Sequence, residues 1–81
     1  MDTGILKFGY EVPQKIRELK KQLRQVGFFS RPGKGSHTVW VHPLLPREEL
    51  TLSGSDGDDA KKYQVSDVRN ILKKLQEAQG K

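Results

Sequence analysis

The sequence predicts an α+β domain in the order α-β-β-β-α: a three-stranded antiparallel sheet with two helices on one face. Three observations carry this prediction. Two segments place their apolar residues at helical spacing, one after residue 12 and one near the C-terminal end. Between them lie three short stretches rich in β-branched, aromatic or alternating apolar residues, separated by Gly- and Pro-containing turns. With 81 residues, the chain has room for one hydrophobic core and not two. A meander with both helices on one side buries both apolar stripes and leaves the other face of the sheet open.

Residues 1–12 show weak periodicity and are expected to form an N-terminal arm ahead of a domain spanning 13–81. Pro13 opens the first helix at a position where proline is tolerated. Val12, Ile16, Leu19, Leu23 and Val26 follow at steps of 4, 3, 4 and 3, which puts them on one face, and Gly27 stands where a left-handed cap ends the helix. Phe28 to Arg31 reads as the first strand, with one of Phe28 and Phe29 in the core. Pro32-Gly33-Lys34-Gly35 is a turn by composition, and Ser36 to His42 is the second strand. Pro43 and Pro46 bound a longer connection. In the third strand, Glu49 to Ser53, Leu50 and Leu52 share one face. Gly54 to Asp59 is a polar loop. Ser66 is expected to cap the last helix, with Asp67 set against its dipole, Val68, Ile71, Leu72 and Leu75 as its apolar stripe and Gly80 at its close. Tyr63 is expected to act as an anchor.

Composition narrows the function classes. There is no cysteine, which excludes disulfides, thiolate metal sites and a cysteine nucleophile. No apolar run approaches the roughly 20 residues that cross a bilayer, and residues 1–9 lack the layout of a signal peptide; a cytoplasmic protein with no membrane partner is expected. The net charge of +5 is unevenly spread. Residues 13–34 hold seven cations and one acid, whereas residues 48–59 hold five acids and no cation. A concentrated basic half is the footprint of a polyanionic partner, although a solvated helix face has the same composition.

The segment Gly33-Lys34-Gly35-Ser36-His37 holds the chemistry that a phosphodiester requires. Its glycines allow close approach to main-chain N–H groups, Lys34 adds a cation and Ser36 a hydroxyl. His37 stands at the strand entry, and an imidazole with a pKa near 6.5 takes or gives a proton at neutral pH. Removing a 2′-OH proton makes that oxygen an internal nucleophile on the adjacent phosphate of RNA, with no metal or cofactor needed, and DNA lacks the group. Lys34 and Arg31 could offset the charge that builds on phosphate. Gly35 and Ser36 complete the turn, while Lys20, Lys21 and Arg24 on the first helix extend the basic surface. Alternation sets His37 on the side of Val39 and Val41, assigned to the core. Its place at the strand end beside two glycines puts it at the rim; were it under a helix it would be a packed residue. Thr38, Trp40 and His42 then face away from the helices, where Trp40 is either a stacking platform or partner hot spot, or an ordinary cross-strand contact. Aligned to a twelve-residue calcium loop, Asp56 and Asp58 fit positions one and three. Ala60 and Lys61 then fall on positions five and six, which excludes that site.

These residues resemble a known family. Lys15-Ile16-Arg17-Glu18-Leu19, Gly27-Phe28, Arg31, Gly33-Lys34-Gly35-Ser36-His37 and His42-Pro43 are similar to the HicA toxins of bacterial type II toxin–antitoxin systems. Leu52-Ser53-Gly54, Asp58-Asp59-Ala60, Tyr63-Gln64 and Val68-Arg69 extend the likeness. Its most specific element is Gly35-Ser36-His37 after a helix ending in Gly-Phe. The resemblance spans roughly residues 13 to 76 and implies a fold like the double-stranded-RNA-binding domain. It also implies cleavage of mRNA by a single catalytic histidine, His37, and neutralisation by a HicB-type antitoxin. Thr38 stands where many members carry a second histidine. The alternative is a non-catalytic RNA-binding or protein-interaction module on the same fold.

Overall fold

The computed structural model describes residues 14–80; the arm expected at 1–12, with Pro13 and Lys81, lies outside them. The expected order holds: α1 (Ile16–Gln25), β1 (Phe29–Pro32), β2 (Thr38–His42), β3 (Leu45–Leu52) and α2 (Lys62–Gln79). The strands form one antiparallel sheet in the order β1-β2-β3, and both helices cover one of its faces.

In α1, Ile16, Leu19 and Leu23 are buried. The helix begins at Ile16 rather than Pro13, because Lys15 is still extended and forms an isolated bridge to Asp59. Val26 falls beyond the last turn and is 40% exposed rather than buried. At Gly27 the chain reverses with φ +101, and the Phe28 N–H donates to the Leu23 carbonyl (3.0 Å) while that of Gly27 donates to Arg24 (3.1 Å), the paired bonds of a Schellman cap. Phe28 enters the core and Phe29 stays exposed, so β1 begins one residue later than expected.

Strand β2 is turned over relative to the expectation. Trp40 is 1% exposed and lies in the core with Leu50, Leu52, Leu19, Leu23, Val68, Ile71 and Leu75, so it is neither a stacking platform nor a hot spot. His42 is buried with it, whereas Val39 and Val41 are only half-buried. The pattern Thr-Val-Trp-Val-His is apolar on both sides, so β-branching alone does not choose a face. The indole decides it, because it has the larger apolar area and its Nε1–H finds an acceptor in Thr38 Oγ1 at 2.9 Å. Register agrees: Trp40 pairs with Leu50, and Thr38 with Leu52.

The connection after β2 is shorter than expected. Only Pro43 and Leu44 separate β2 from β3, with a register shift between Trp40 and His42. Pro46 lies within β3, where an edge strand tolerates a residue with no N–H. Helix α2 also starts earlier. Lys61 is its N-cap residue, and the Lys61 N–H donates to Gln64 Oε1 at 2.8 Å. Ser66 therefore sits inside the helix, exposed, and is no cap; Tyr63 is 57% exposed and anchors nothing. Gln64, given no structural role by the sequence, is 3% exposed and donates from Nε2 to the Ser53 carbonyl at 3.0 Å.

Trp40→Ala should cost about 3–5 kcal/mol in denaturant unfolding, as for a large core aromatic. The near-isosteric Thr38→Val should cost about 1–3 kcal/mol by leaving the indole N–H unpaired. A loss under about 1 kcal/mol for Trp40→Ala would contradict its place in the core.

Candidate active site

The residues singled out for chemistry lie mostly on the β1–β2 hairpin. Pro32 pairs with Thr38, and beyond that pair the Gly33 N–H donates to the His37 carbonyl at 2.9 Å. The His37 N–H donates back to the Lys34 carbonyl, also at 2.9 Å, closing a four-residue turn from Lys34 to His37. Gly35 occupies its second position with φ +58, a conformation that a side chain resists there. The main chain of His37 is thus held on both its N–H and its carbonyl, while Gly33 through His37 are all exposed. A fixed backbone with an accessible ring is the arrangement a proton-transfer group needs. Alternation continues through the turn exit. Because Trp40 faces the helices, position 37 falls on the open side with Val39 and Val41.

Arg31 shares that open side. Its Nη2 contacts Glu49 Oε2 at 3.0 Å, with both side chains more than half exposed. Arg31 is opposite Val39 on one edge strand, and Glu49 lies on the other, so the pair spans β2. Its guanidinium is already engaged by an acid that lies beyond the Trp40–Leu50 pair, away from the turn.

His42 takes no part. It is 9% exposed, Nε2–H donates to the Val26 carbonyl at 2.9 Å and Nδ1 accepts from the Leu44 N–H at 3.0 Å. Its ring meets Phe28 edge-on at 4.9 Å. Both ring nitrogens are used in tying the end of α1 to the β2–β3 turn. Thr38 is also on the helix side, bonded to Trp40, and does not share a face with His37.

The three helix cations are not gathered at the turn; they belong to α1, on the opposite side of the sheet. Lys20 Nζ contacts Asp56 Oδ1 at 2.6 Å and its side chain is only 12% exposed. The Arg24 guanidinium lies 5.3 Å from the Trp40 ring centroid, a cation–π contact that closes over the core. Lys21 is exposed.

What joins turn and helix is the acidic loop, whose role the sequence left open. The Gly54 N–H donates to Ser36 Oγ at 3.2 Å. Two residues of loop backbone then serve as the N-terminal cap of α1: the carbonyl of Asp58 accepts from Ile16 N–H (2.9 Å) and that of Asp56 from Arg17 N–H (3.1 Å). Lys15 Nζ contacts Asp59 Oδ1 at 2.6 Å. The hydrogen bond from Lys20, then its charge and those of Arg24 and Arg17, hold the Asp56 carboxyl below its ordinary value of 3.8. Gln64 secures the near end of the loop through Ser53. Among the described residues, no cluster of three or more histidine or acidic side chains is placed to hold a metal ion, and no helix is long and apolar enough to cross a membrane.

Because the folded carboxyl of Asp56 titrates below its unfolded value, its pairing stabilises the native state above about pH 4 and is lost as pH falls through the folded value. The Asp56 carboxyl, followed by NMR, should therefore titrate below its ordinary value of 3.8. Lys20→Gln should return its midpoint toward that value; an unchanged midpoint would show that the Lys20 pairing does not hold the carboxyl down.

Residues 16–77 match the family described as HicA toxin of bacterial toxin-antitoxin. Neither the curated proteins nor the solved structures searched contain a match.

Proposed function

This chain belongs to the HicA toxin family, and from that premise we propose that it is an endoribonuclease toxin that cuts mRNA with His37 and is neutralised by a HicB-type antitoxin. The observation that carries the proposal is the exposed His37 ring on a backbone held by two hydrogen bonds, in a turn that also carries Lys34. His37 takes the proton from a ribose 2′-OH. The freed oxygen attacks the neighbouring phosphorus, the bond to the 5′-oxygen breaks, and that oxygen leaves with a proton returned by the imidazolium or by water. A 2′,3′-cyclic phosphate and a 5′-hydroxyl result, and no metal takes part.

The remaining residues bind and orient. Lys34 and the N–H groups around Gly35 face the phosphate. Ser36 Oγ accepts from the Gly54 N–H, which leaves its own hydrogen to donate to a phosphate oxygen. Arg31 joins them when phosphate competes with Glu49. Along α1, Lys21 and Arg24 extend the positive track, and Lys20 contributes to the extent that Asp56 releases it. His42 has both nitrogens occupied, which supports a single-histidine mechanism.

Expression of the parent chain without its antitoxin should arrest growth and fragment mRNA, and His37→Ala should abolish both. With purified protein in EDTA, His37→Ala should lower the cleavage rate by about 10²–10⁴-fold, the usual contribution of a general base. A parent that binds RNA without cutting it, or a variant that cuts equally well, would instead identify a non-catalytic RNA-binding module on this fold.

A further inference from the structure

We infer that the acidic loop 54–59 is a built-in competitor for the RNA backbone, whose Asp56 and Asp59 occupy Lys20 of α1 and Lys15 just before it and leave RNA the remaining positive surface. The inference rests on the reading of the chain as an RNA-binding protein and deepens it.

The geometry is that of a polyanion laid on a basic helix. Each ion pair closes at 2.6 Å, the short end of charge-assisted contact. Lys20, in its pair with Asp56, is only 12% exposed, whereas the Asp56 side chain is 64% exposed. The first-turn N–H groups of α1, where a helix would otherwise attract a phosphate, are taken by the Asp56 and Asp58 carbonyls. The loop therefore fills both features that a phosphate chain would use at this end of the helix.

These carboxylates are not what holds the loop in place. The backbone does that, through the Asp58 and Asp56 carbonyls and the Ala60 N–H to Gln14 bond of 2.7 Å. Within the loop, Asp58 Oδ2 accepts from the Ser55 N–H at 2.9 Å. The Asp56 and Asp59 carboxylates take no part in these bonds, and exposed ion pairs add little stability. Their larger effect is on charge: two cations of the basic half are neutralised, and carboxylate oxygens stand exposed between α1 and the turn that Gly54 contacts through Ser36. RNA meets repulsion from the α1 side of the turn and attraction from the turn itself, which carries the exposed Lys34.

The test uses the full chain carrying His37→Ala, so that RNA stays intact, and a short labelled single-stranded RNA of mixed sequence. Asp56→Asn with Asp59→Asn leaves Asp58 and every backbone cap in place. It should tighten binding about tenfold at low salt and steepen the slope of log Kd against log salt by roughly 1.4, the value for two more phosphates on a single strand. The same charge change on α2, Asp67→Asn with Glu77→Gln, should give a clearly smaller gain; an equal gain overturns the inference. A second arm needs no change to the loop. Lys20→Gln should weaken binding less than about twofold in the parent, and about fivefold once Asp56 and Asp59 are neutralised, while Lys21→Gln weakens the parent about fivefold. Equal losses for Lys20→Gln and Lys21→Gln in the parent overturn the inference. If the parent binds and the loop variant binds no better, the inference alone fails. If neither binds RNA at any salt, the RNA reading fails and the inference with it.

Discussion

The burial of Trp40 is the constraint on which the rest of this structure depends. An indole of this size must lie under the helices, and its N–H must find a partner, which Thr38 supplies from two residues away on the same side of β2. Once that side is inward, alternation commits Val39, Val41 and the exit of the β1–β2 turn to the opposite side. The Arg31–Glu49 pair runs across that open face. His42, on the Trp40 side, is drawn inward and spends both ring nitrogens on backbone groups. One side chain thus separates the two histidines into a buried structural ring and an exposed one.

The second organising element is the segment from Ser53 to Ala60. It has no regular structure, yet it is bonded to α2 through Gln64, to the β1–β2 turn through Ser36, and to α1 and the Lys15 before it through two carbonyls and two aspartates. A loop fastened at so many points behaves as part of the scaffold. It explains how α1 starts at Ile16 without a Ser, Thr, Asp or Asn side-chain cap. It also sets the electrostatics, since the opposed charge blocks of the sequence meet within one molecule. The positive surface left for a partner is narrower than the charge count suggests.

Much of the fold was legible in the residues. Spacing alone located the stripes Ile16-Leu19-Leu23 and Val68-Ile71-Leu75, the Gly27 reversal, and the meander between them. The missed features share a cause, which is that tertiary partners decide them. The face of β2 was ambiguous because both sides are apolar, and only pairing with the unambiguous Leu50 and Leu52 resolves it. The start of α2 was placed too late because Ser66 looks like a cap, whereas the cap bond comes from Gln64, an N3 side chain. At the site, the turn and its glycines followed from local chemistry, while the side of the sheet that His37 takes did not, because it turns over with β2. The engagement of Lys20 with Asp56 and of Arg31 with Glu49 did not, because those partners lie 36 and 18 residues away.

The central claim is that His37 acts on the ribose 2′-OH from the open side of the sheet. The most direct measurement is the chemistry of the cut ends produced by purified protein in EDTA, on a short RNA and on the same strand carrying one 2′-deoxyribose at the cut site. The account predicts 2′,3′-cyclic phosphate and 5′-hydroxyl ends on the RNA, and no cleavage at the deoxy position. Cleavage at the deoxy position, or ends bearing a 5′-phosphate, would contradict it.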